Sequence, residues 1–395
     1  MPTPAKLALE DGRVFQGTAF GAPGEVLAEV VFNTSHTGYQ EVLTDPSYTG
    51  QAVTFTIPIL GIYGVAPGRD DESDKPYAAA IICREASRIA SNHRSKSTLS
   101  EYLRAHKIFG IEGIDTRALV QHLRENGAKN GCLSTEDQDD ASLVKKAKGA
   151  PDMNGLDLAK VVSTKKPYPW TEPYGDEGPW RPTAARKPVL TPGSMGRVVV
   201  VDFGVKRGIL RHLVDRGFAV EVVPGNTPAE AILDRAVDGV MLSNGPGDPA
   251  AVTYGIDAAR KLLGKVPLYG VCLGHQILSL ALGATTRKMK FGHRGGNHPV
   301  REIDTGRVLI TSHNHGFAVD PTTLGRTPLV ATYESLFDGT CEGIRHRELP
   351  CAAVQFHPEA SPGPHEAEHF FDVFAKAVAD WKKAPAPKAV VAAKR

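Results

Sequence analysis

Pro267-Leu268-Tyr269-Gly270-Val271-Cys272-Leu273-Gly274-His275-Gln276-Ile277-Leu278-Ser279-Leu280-Ala281-Leu282 decides the fold of the C-terminal half of this chain. Pro267 to Val271 predicts a short apolar strand and His275 to Leu282 a helix, with a glycine-flanked cysteine between them. The same rhythm repeats upstream. Strands are predicted over Arg197 to Val201, Ala219 to Val223 and Gly239 to Leu242. Each is followed by a helix, over Lys206 to Arg216, Pro228 to Arg235 and within Tyr254 to Leu263. Unbroken apolar strands alternating with helices specify an α/β domain built on a doubly wound, mainly parallel sheet. Beyond Gly283 strands return near Val308 to Thr311, Ala318-Val319 and Ala352 to Phe356, and a helix from Glu366 to Trp381 closes the domain.

Upstream of this domain the prolines crowd between Lys165 and Gly193, from Pro167 through Pro192. Proline fixes φ and lacks an amide donor, so this stretch cannot be a central strand or a helix interior. Residues 151–196 therefore read as a Pro-rich linker, pinned by Trp170 and Trp180. Residues 1–150 read as an α+β domain. Asp11-Gly12 between Leu7–Glu10 and Arg13–Gln16 predicts a hairpin with a type I′ turn. Ala28 to Phe32, Gln51 to Ile57 and Ala78 to Ile82 predict strands. Thr98 with Glu101 predicts a capping box, and a second helix runs from Thr116 to a stop at Gly127. The α/β domain spans 197–381, and residues 382–395, made only of Lys, Arg, Ala, Pro and Val, predict a disordered tail.

The totals exclude several function classes. Lys plus Arg number 46 against 44 for Asp plus Glu, a net charge of +2 that gives no electrostatic reason to expect nucleic acid or an anionic membrane. Five cysteines, an odd number with no C-x-x-C spacing, argue against a disulfide framework and for a reducing, cytoplasmic setting. Met1 to Glu10 has no signal-peptide character, and no apolar run approaches membrane-helix length.

Three constellations carry chemistry. Gly270-Val271-Cys272-Leu273-Gly274 has the form of a nucleophile elbow with cysteine at its tip. The following helix aims its amides and positive dipole end at the sulfur, and the Leu273 amide is placed for an oxyanion hole. Phe356-His357-Pro358-Glu359 follows an apolar strand. There an i, i+2 spacing puts Glu359 beside His357, fixing one ring nitrogen and leaving the other to take the thiol proton. Ser243-Asn244-Gly245-Pro246-Gly247-Asp248-Pro249 lies at a carboxyl end of the sheet, with backbone amides open to an anion or carbonyl oxygen. Asp202-Phe203-Gly204 lacks the other kinase motifs, and there is no P-loop. His313-Asn314-His315 lacks both helical spacing and a following acidic cluster, so no metal site is assigned.

Taken together, Gly-Val-Cys272-Leu-Gly-His-Gln276 and His357-Pro-Glu359 resemble the triad, class I, glutamine amidotransferases, over roughly residues 197–380. Further motifs are similar to the small subunits of carbamoyl phosphate synthetases. They include Phe32 to Ser35, Thr37 to Glu41, Thr44 to Tyr48, Gly113 to Arg117, Lys288 to His293, Asn314 to Phe317 and His357 to Pro364. The resemblance implies hydrolysis of glutamine to glutamate and ammonia through a thioester on Cys272, with His357 as base and Glu359 orienting it. It implies an oxyanion held by the amides of Leu273 and Gly245. Carried over position by position, the glutamine contacts are Ser47, Gly245, Gly247, Leu273, Gln276, Asn314, Gly316 and Phe317, with no metal. It also implies no cofactor in this chain. Ammonia passes through a tunnel to a large-subunit partner that binds ATP, bicarbonate and divalent metal and makes carbamoyl phosphate for arginine and pyrimidine synthesis. Gly208 and Ile62 stand where the family usually has Asn, and His313 where it often has Gln. The competing readings are the glutaminase of another amidotransferase, a non-catalytic assembly subunit and a free-standing cysteine hydrolase. The first 150 residues argue against the first of these, and the intact Cys272, His357 and Glu359 against the second.

Overall fold

The computed structural model describes residues 3–174 and 190–383. The N-terminal part contains nine strands: β1 Thr3–Leu9, β2 Val14–Ala19, β3 Glu25–Asn33, β4 Gln51–Phe55, β5 Ile59–Leu60, β6 Ala80–Ile82, β7 Glu85–Ala86, β8 Phe109–Glu112 and β9 Lys129–Ser134. Four helices accompany them: α1 Tyr39–Thr44, α2 Leu99–Ala105, α3 Thr116–Asn126 and α4 Asp140–Lys148. Seven of the strands close into a barrel in the order β1-β2-β8-β6-β4-β3-β9, while β5 pairs only with β7. Closure leaves no exposed barrel edge. Alternation along the strands feeds two cores. Val30, Ala52, Ala80 and Ile82 join Leu119 and Leu123 of α3 in one. Val31, Val53 and Ile81 join Val42 and Leu43 of α1 and Leu99 and Leu103 of α2 in the other.

The β1–β2 connection differs from a two-residue type I′ hairpin. Gly12 N donates to Leu9 O and Leu9 N to Arg13 O, and within the loop only Gly12 has positive φ, at 99°. This is a three-residue loop, in which a type I turn is followed by a left-handed glycine. The capping box on α2 is present in both directions, from Thr98 to the Glu101 amide and from the Glu101 side chain back to Thr98.

The second part is a ten-stranded sheet with helices on both faces. Its elements are α5 Ala159–Val162, β10 Tyr168–Trp170, β11 Gly196–Asp202, α6 Arg207–Asp215, β12 Phe218–Pro224, α7 Ala229–Leu233, β13 Gly239–Leu242, α8 Thr253–Leu262, β14 Leu268–Val271 and α9 Leu273–Ala281. Then come β15 Thr286–Glu302, β16 Val308–Val319, β17 Leu329–Ser335, β18 Cys341–His346, β19 Cys351–Val354 and α10 His369–Lys383. The order is β10-β12-β11-β13-β14-β19-β18-β17-β15-β16. Strands β12, β11, β13, β14 and β19 run parallel, and β18, β17, β15 and β16 extend them antiparallel. On one face Val199, Val201, Val240 and Leu242 pack on Ile232, Ala259 and Ile277 of α7, α8 and α9. On the other, Val198, Val200 and Met241 pack on Ile209 and Leu213 of α6 and Phe371 and Phe374 of α10.

The proline-rich stretch is more than a linker. It contributes α5 and an edge strand, β10, antiparallel to β12. Pro169 is tolerated there because an edge strand leaves one backbone side unpaired. Trp170 lies under the Arg207 guanidinium, 5.9 Å from the ring centroid, whereas Trp180 lies outside the described residues. Helix α10 runs to Lys383, two residues into the segment read as tail, and residues 384–395 lie outside the described residues. No helix among the described residues is long and apolar enough to cross a membrane.

Candidate active site

The carboxyl ends of β11, β13, β14 and β19 meet at one place, as ligand sites do in open α/β sheets. Cys272 occupies the turn between β14 and α9 with φ 53° and ψ −102°. This is a strained conformation for a residue with a side chain, held by what surrounds it. The strain sits at Cys272 itself, and the flanking glycines supply room instead. A Cβ on Gly270 would lie 2.7 Å from Gly274 C, and one on Gly274 2.2 Å from Leu242 O. Helix α9 begins at Leu273, two residues earlier than the sequence pattern indicated, so its first amides stand directly at the sulfur. Gly274 N donates to Ser243 O at 3.0 Å, which ties the elbow to the loop after β13.

His357 and Glu359 follow β19, and a turn brings them together. The strand ends at Val354, His357 N donates to Ser312 O at 2.8 Å, and Ala360 N closes back on His357 O at 3.1 Å. Glu359 reaches His357 through this turn, with Pro358 at its second position, and not through an extended i, i+2 face. The His357 Nδ1 to Glu359 Oε1 distance is 2.7 Å. No group completes a hydrogen bond to His357 Nε2. Burial would lower the His357 pKa, but the charges of Glu359 and Cys272 override it and raise the imidazole to about 10. Burial likewise opposes the charge on Glu359, yet Lys206 and His357 hold its carboxyl down at about 2. The pair is thus an imidazolium–carboxylate pair, the form His357 has after taking a proton.

Lys206 is a site residue the sequence reading missed, having been placed only at the start of the predicted helix Lys206 to Arg216. It caps α6, is 2% exposed, contacts Glu359 Oε1 at 3.0 Å and donates to Ala360 O at 2.6 Å. Its signal was its position just after β11, where a buried cation requires a carboxylate. Gln355 was also missed. Its Nε2 donates to Cys272 Sγ at 3.6 Å and its Oε1 accepts from Gln276 Nε2 at 2.9 Å. Gln276 Nε2 also donates to Phe317 O at 2.8 Å, so Gln276 offers the pocket an acceptor.

Ser47, Gly245, Gly247, Gln276, Asn314, Gly316 and Phe317 line one pocket with Cys272, and Leu273 flanks it through the elbow. Ser47 crosses from the barrel domain. Asp45 holds its turn through Ser47 N at 2.9 Å, and Asn244 Nδ2 donates to Ser47 Oγ at 3.0 Å. Asp45 Oδ2 also accepts from Asn314 Nδ2 at 2.9 Å, so one buried carboxylate links the two domains at the pocket. Glu72 makes a second crossing by accepting from Gly208 N at 2.9 Å. Space beside Gly208 is short. A Cβ there would meet the Tyr174 hydroxyl at 2.7 Å and Glu359 Cγ at 3.0 Å. Ile62 is 52% exposed and touches none of this.

Two family models match the chain: "Carbamoyl-phosphate synthase small chain, CPSase domain" over residues 7–133 and "Glutamine amidotransferase class-I" over residues 199–377. The chain is 55% identical over 376 residues to the carbamoyl phosphate synthase small chain of Thermosynechococcus vestitus, covering 95% of this chain and 96% of that one. It is 54% identical over 371 residues to that of Syntrophotalea carbinolica, covering 94% and 96%. With that of Escherichia coli strain K12 the identity is 49% over 382 residues, covering 96% and 98%.

Proposed function

The chain belongs to the carbamoyl phosphate synthase small-chain family and carries its class I glutamine amidotransferase domain, and on this footing we propose that it hydrolyses L-glutamine at Cys272 and delivers the ammonia to a large subunit. The observation that carries the reading is His357: Nδ1 is committed to Glu359 at 2.7 Å, and Nε2 is unpartnered beside the thiol.

The Cys272 thiolate attacks the side-chain carboxamide carbon. The carbonyl oxygen becomes an oxyanion facing the amides of Leu273 and Gly245, groups that cost no reorganisation as charge develops. The C–N bond then breaks, and the His357 Nε2 proton goes to the departing nitrogen, giving ammonia and a γ-glutamyl thioester. Water attacks the thioester with His357 taking its proton, and the C–S bond breaks to release glutamate and restore the Cys272 thiolate beside protonated His357. Glu359, itself paired with Lys206, holds the imidazole in orientation throughout and stabilises its protonated form. Ser47, Gly247, Gln276, Asn314, Gly316 and Phe317 position the substrate. ATP, bicarbonate and divalent metal act on the partner, in a cytoplasmic hetero-oligomer.

The test is glutamate release from glutamine by the purified chain, alone and with a carbamoyl phosphate synthetase large subunit, ATP and bicarbonate. Slow release that rises sharply with the partner is expected. Cys272→Ala is expected to abolish glutamine-dependent synthesis and to leave synthesis from added ammonia intact. If the variant kept glutamine-dependent synthesis, the subunit would be acting as a scaffold.

A further inference from the structure

His313-Asn314-His315 lacked a third and fourth partner in the sequence, and the fold supplies both from other strands. His313 and His315 on β16 meet His293 on β15 and Glu342 on β18. One ligand atom from each lies within 4.8 Å of all the others. Exposures are 4% for His293, 2% for His313, 5% for His315 and 0% for Glu342.

The outer hydrogen bonds fix which nitrogens face inward. His315 Nδ1 donates to Phe317 O at 2.8 Å, so its Nε2 presents a lone pair. His293 Nε2 lies 3.0 Å from Asp338 Oδ2, an acceptor only, and so carries a proton, while Nδ1 faces Glu342 Oε1 at 3.4 Å. The Thr311 hydroxyl donates to His298 O at 3.0 Å, so its oxygen accepts from His313 Nε2 at 2.8 Å, and His313 Nδ1 presents a lone pair too. When His293 Nδ1 gives up its proton, as metal binding requires, three imidazole lone pairs converge on a carboxylate. His293 Nδ1 and both Glu342 oxygens have no hydrogen-bond partner. A buried carboxylate with neither oxygen in a hydrogen bond is costly, and lone pairs packed this closely repel unless a proton or a cation lies between them. A cation at their centre removes both penalties.

We propose that His293, His313, His315 and Glu342 form a structural site for one zinc-like divalent transition-metal ion. Three of the ligand–ligand distances are near those of a tetrahedral site. His313 Nδ1 to His315 Nε2 is 3.1 Å, His293 Nδ1 to Glu342 Oε1 is 3.4 Å and His313 Nδ1 to Glu342 Oε2 is 3.6 Å. Ligand bonds of about 2.0 Å give tetrahedral edges of about 3.3 Å. Three nitrogens and one oxygen select zinc or its neighbours over magnesium or calcium, which take all-oxygen sites. Each imidazole has its second nitrogen held by a carboxylate, hydroxyl or carbonyl, the outer support that metal-bound histidines use. Four protein ligands leave no open position, so the ion fastens strands and activates no water. What it fastens is the back of β16, whose opposite face carries Asn314 at the thiol pocket. This last consequence rests on the glutaminase reading, whereas the metal site does not.

The experiment uses the full chain, purified without a histidine tag. Elemental analysis is expected to find about one zinc per chain. After removal of the metal by a chelator under native conditions, titration with cobalt(II) should give the intense visible absorption of a tetrahedral site. Glu342→Gln and His313→Gln are expected to lose the zinc and weaken cobalt binding at least about tenfold, and Cys272→Ala to keep both. Zinc at background level together with no tetrahedral cobalt band in the unmutated chain overturns the site, whatever the variants do. Loss of the band in Cys272→Ala with retention in Glu342→Gln also overturns it, since the metal would then sit on the catalytic thiol.

Discussion

Lys206 is the cation on which the charge balance beside the thiol turns. It faces Glu359 directly, and Glu72 and Asp45 also act on it. Removing one member of a buried ion pair leaves the other charged and unsolvated, a loss of about 3–5 kcal/mol. Lys206→Met should therefore lower the urea midpoint and, because Glu359 then resists ionisation, release His357 from its imidazolium form. Glutaminase kcat is expected to fall roughly a hundredfold, the lower end of acid–base contributions. A variant with unchanged kcat would remove Lys206 from the chain of charge. The same pair sets a pH dependence of stability. His357 is raised from 6.5 to about 10, so its contribution is complete below 6.5 and is lost as pH climbs toward 10. Glu359 is lowered from 4.5 to about 2, so its contribution is complete above 4.5 and is lost as pH falls toward 2. The stability difference between the unmutated chain and His357→Asn should be greatest between those two ordinary values and shrink on the alkaline side. A difference constant from pH 6.5 to 10 would contradict the assignment.

At the scale of elements, the elbow was legible because everything it needs is local: an apolar strand, two glycines and a helix within sixteen residues. The parallel strands were legible because a strand buried on both faces is a continuous apolar run. Strand β15 was not, because Thr286–Glu302 carries Lys288, Lys290, Arg294, Gly295 and Pro299 and is interrupted by two register shifts. Neither alternation nor an apolar run survives in such a strand. The same blindness hid the histidine cluster, whose members lie on β15, β16 and β18, with β17 between β15 and β18 in the sheet. The elbow glycines were legible as the mark of a tight, strained turn, but the need for small residues there was not, since only the structure shows Leu242 O in the way. Gly274→Ala would place a methyl 2.2 Å from that carbonyl, which belongs to a central strand and cannot retreat. The elbow must move instead. We expect a stability loss of about 1–3 kcal/mol and at least about a tenfold loss of glutaminase kcat, read together by urea unfolding and steady-state kinetics. Full activity would mean that the turn tolerates displacement.

At the scale of the whole molecule, the pocket is completed only when the two domains meet, and sequence reasoning reached this point by resemblance alone. Nothing in Thr44-Asp45-Pro46-Ser47-Tyr48 says that its turn will be pressed against a loop almost two hundred residues later. The structure supplies the physical reason in Asp45. Its carboxylate is 4% exposed, caps its own turn through Ser47 N, and accepts from Asn314 Nδ2 on the other domain. Asn244 Nδ2, which binds Ser47 Oγ, lies 3.4 Å from the same carboxylate. Asp45→Ala removes the acceptor and leaves a buried Asn314 N–H without a partner, which costs about 1–3 kcal/mol. The triad lies on the other domain and keeps its own contacts. The loss should therefore fall on substrate positioning, with KM for glutamine rising about tenfold and kcat changing less, the pattern of lost uniform binding. Steady-state kinetics with the large subunit present would measure it. A fall in kcat at constant KM would instead mean that Asp45 acts on the thiol itself, through the Asn314 carbonyl toward which Cys272 Sγ points at 3.7 Å.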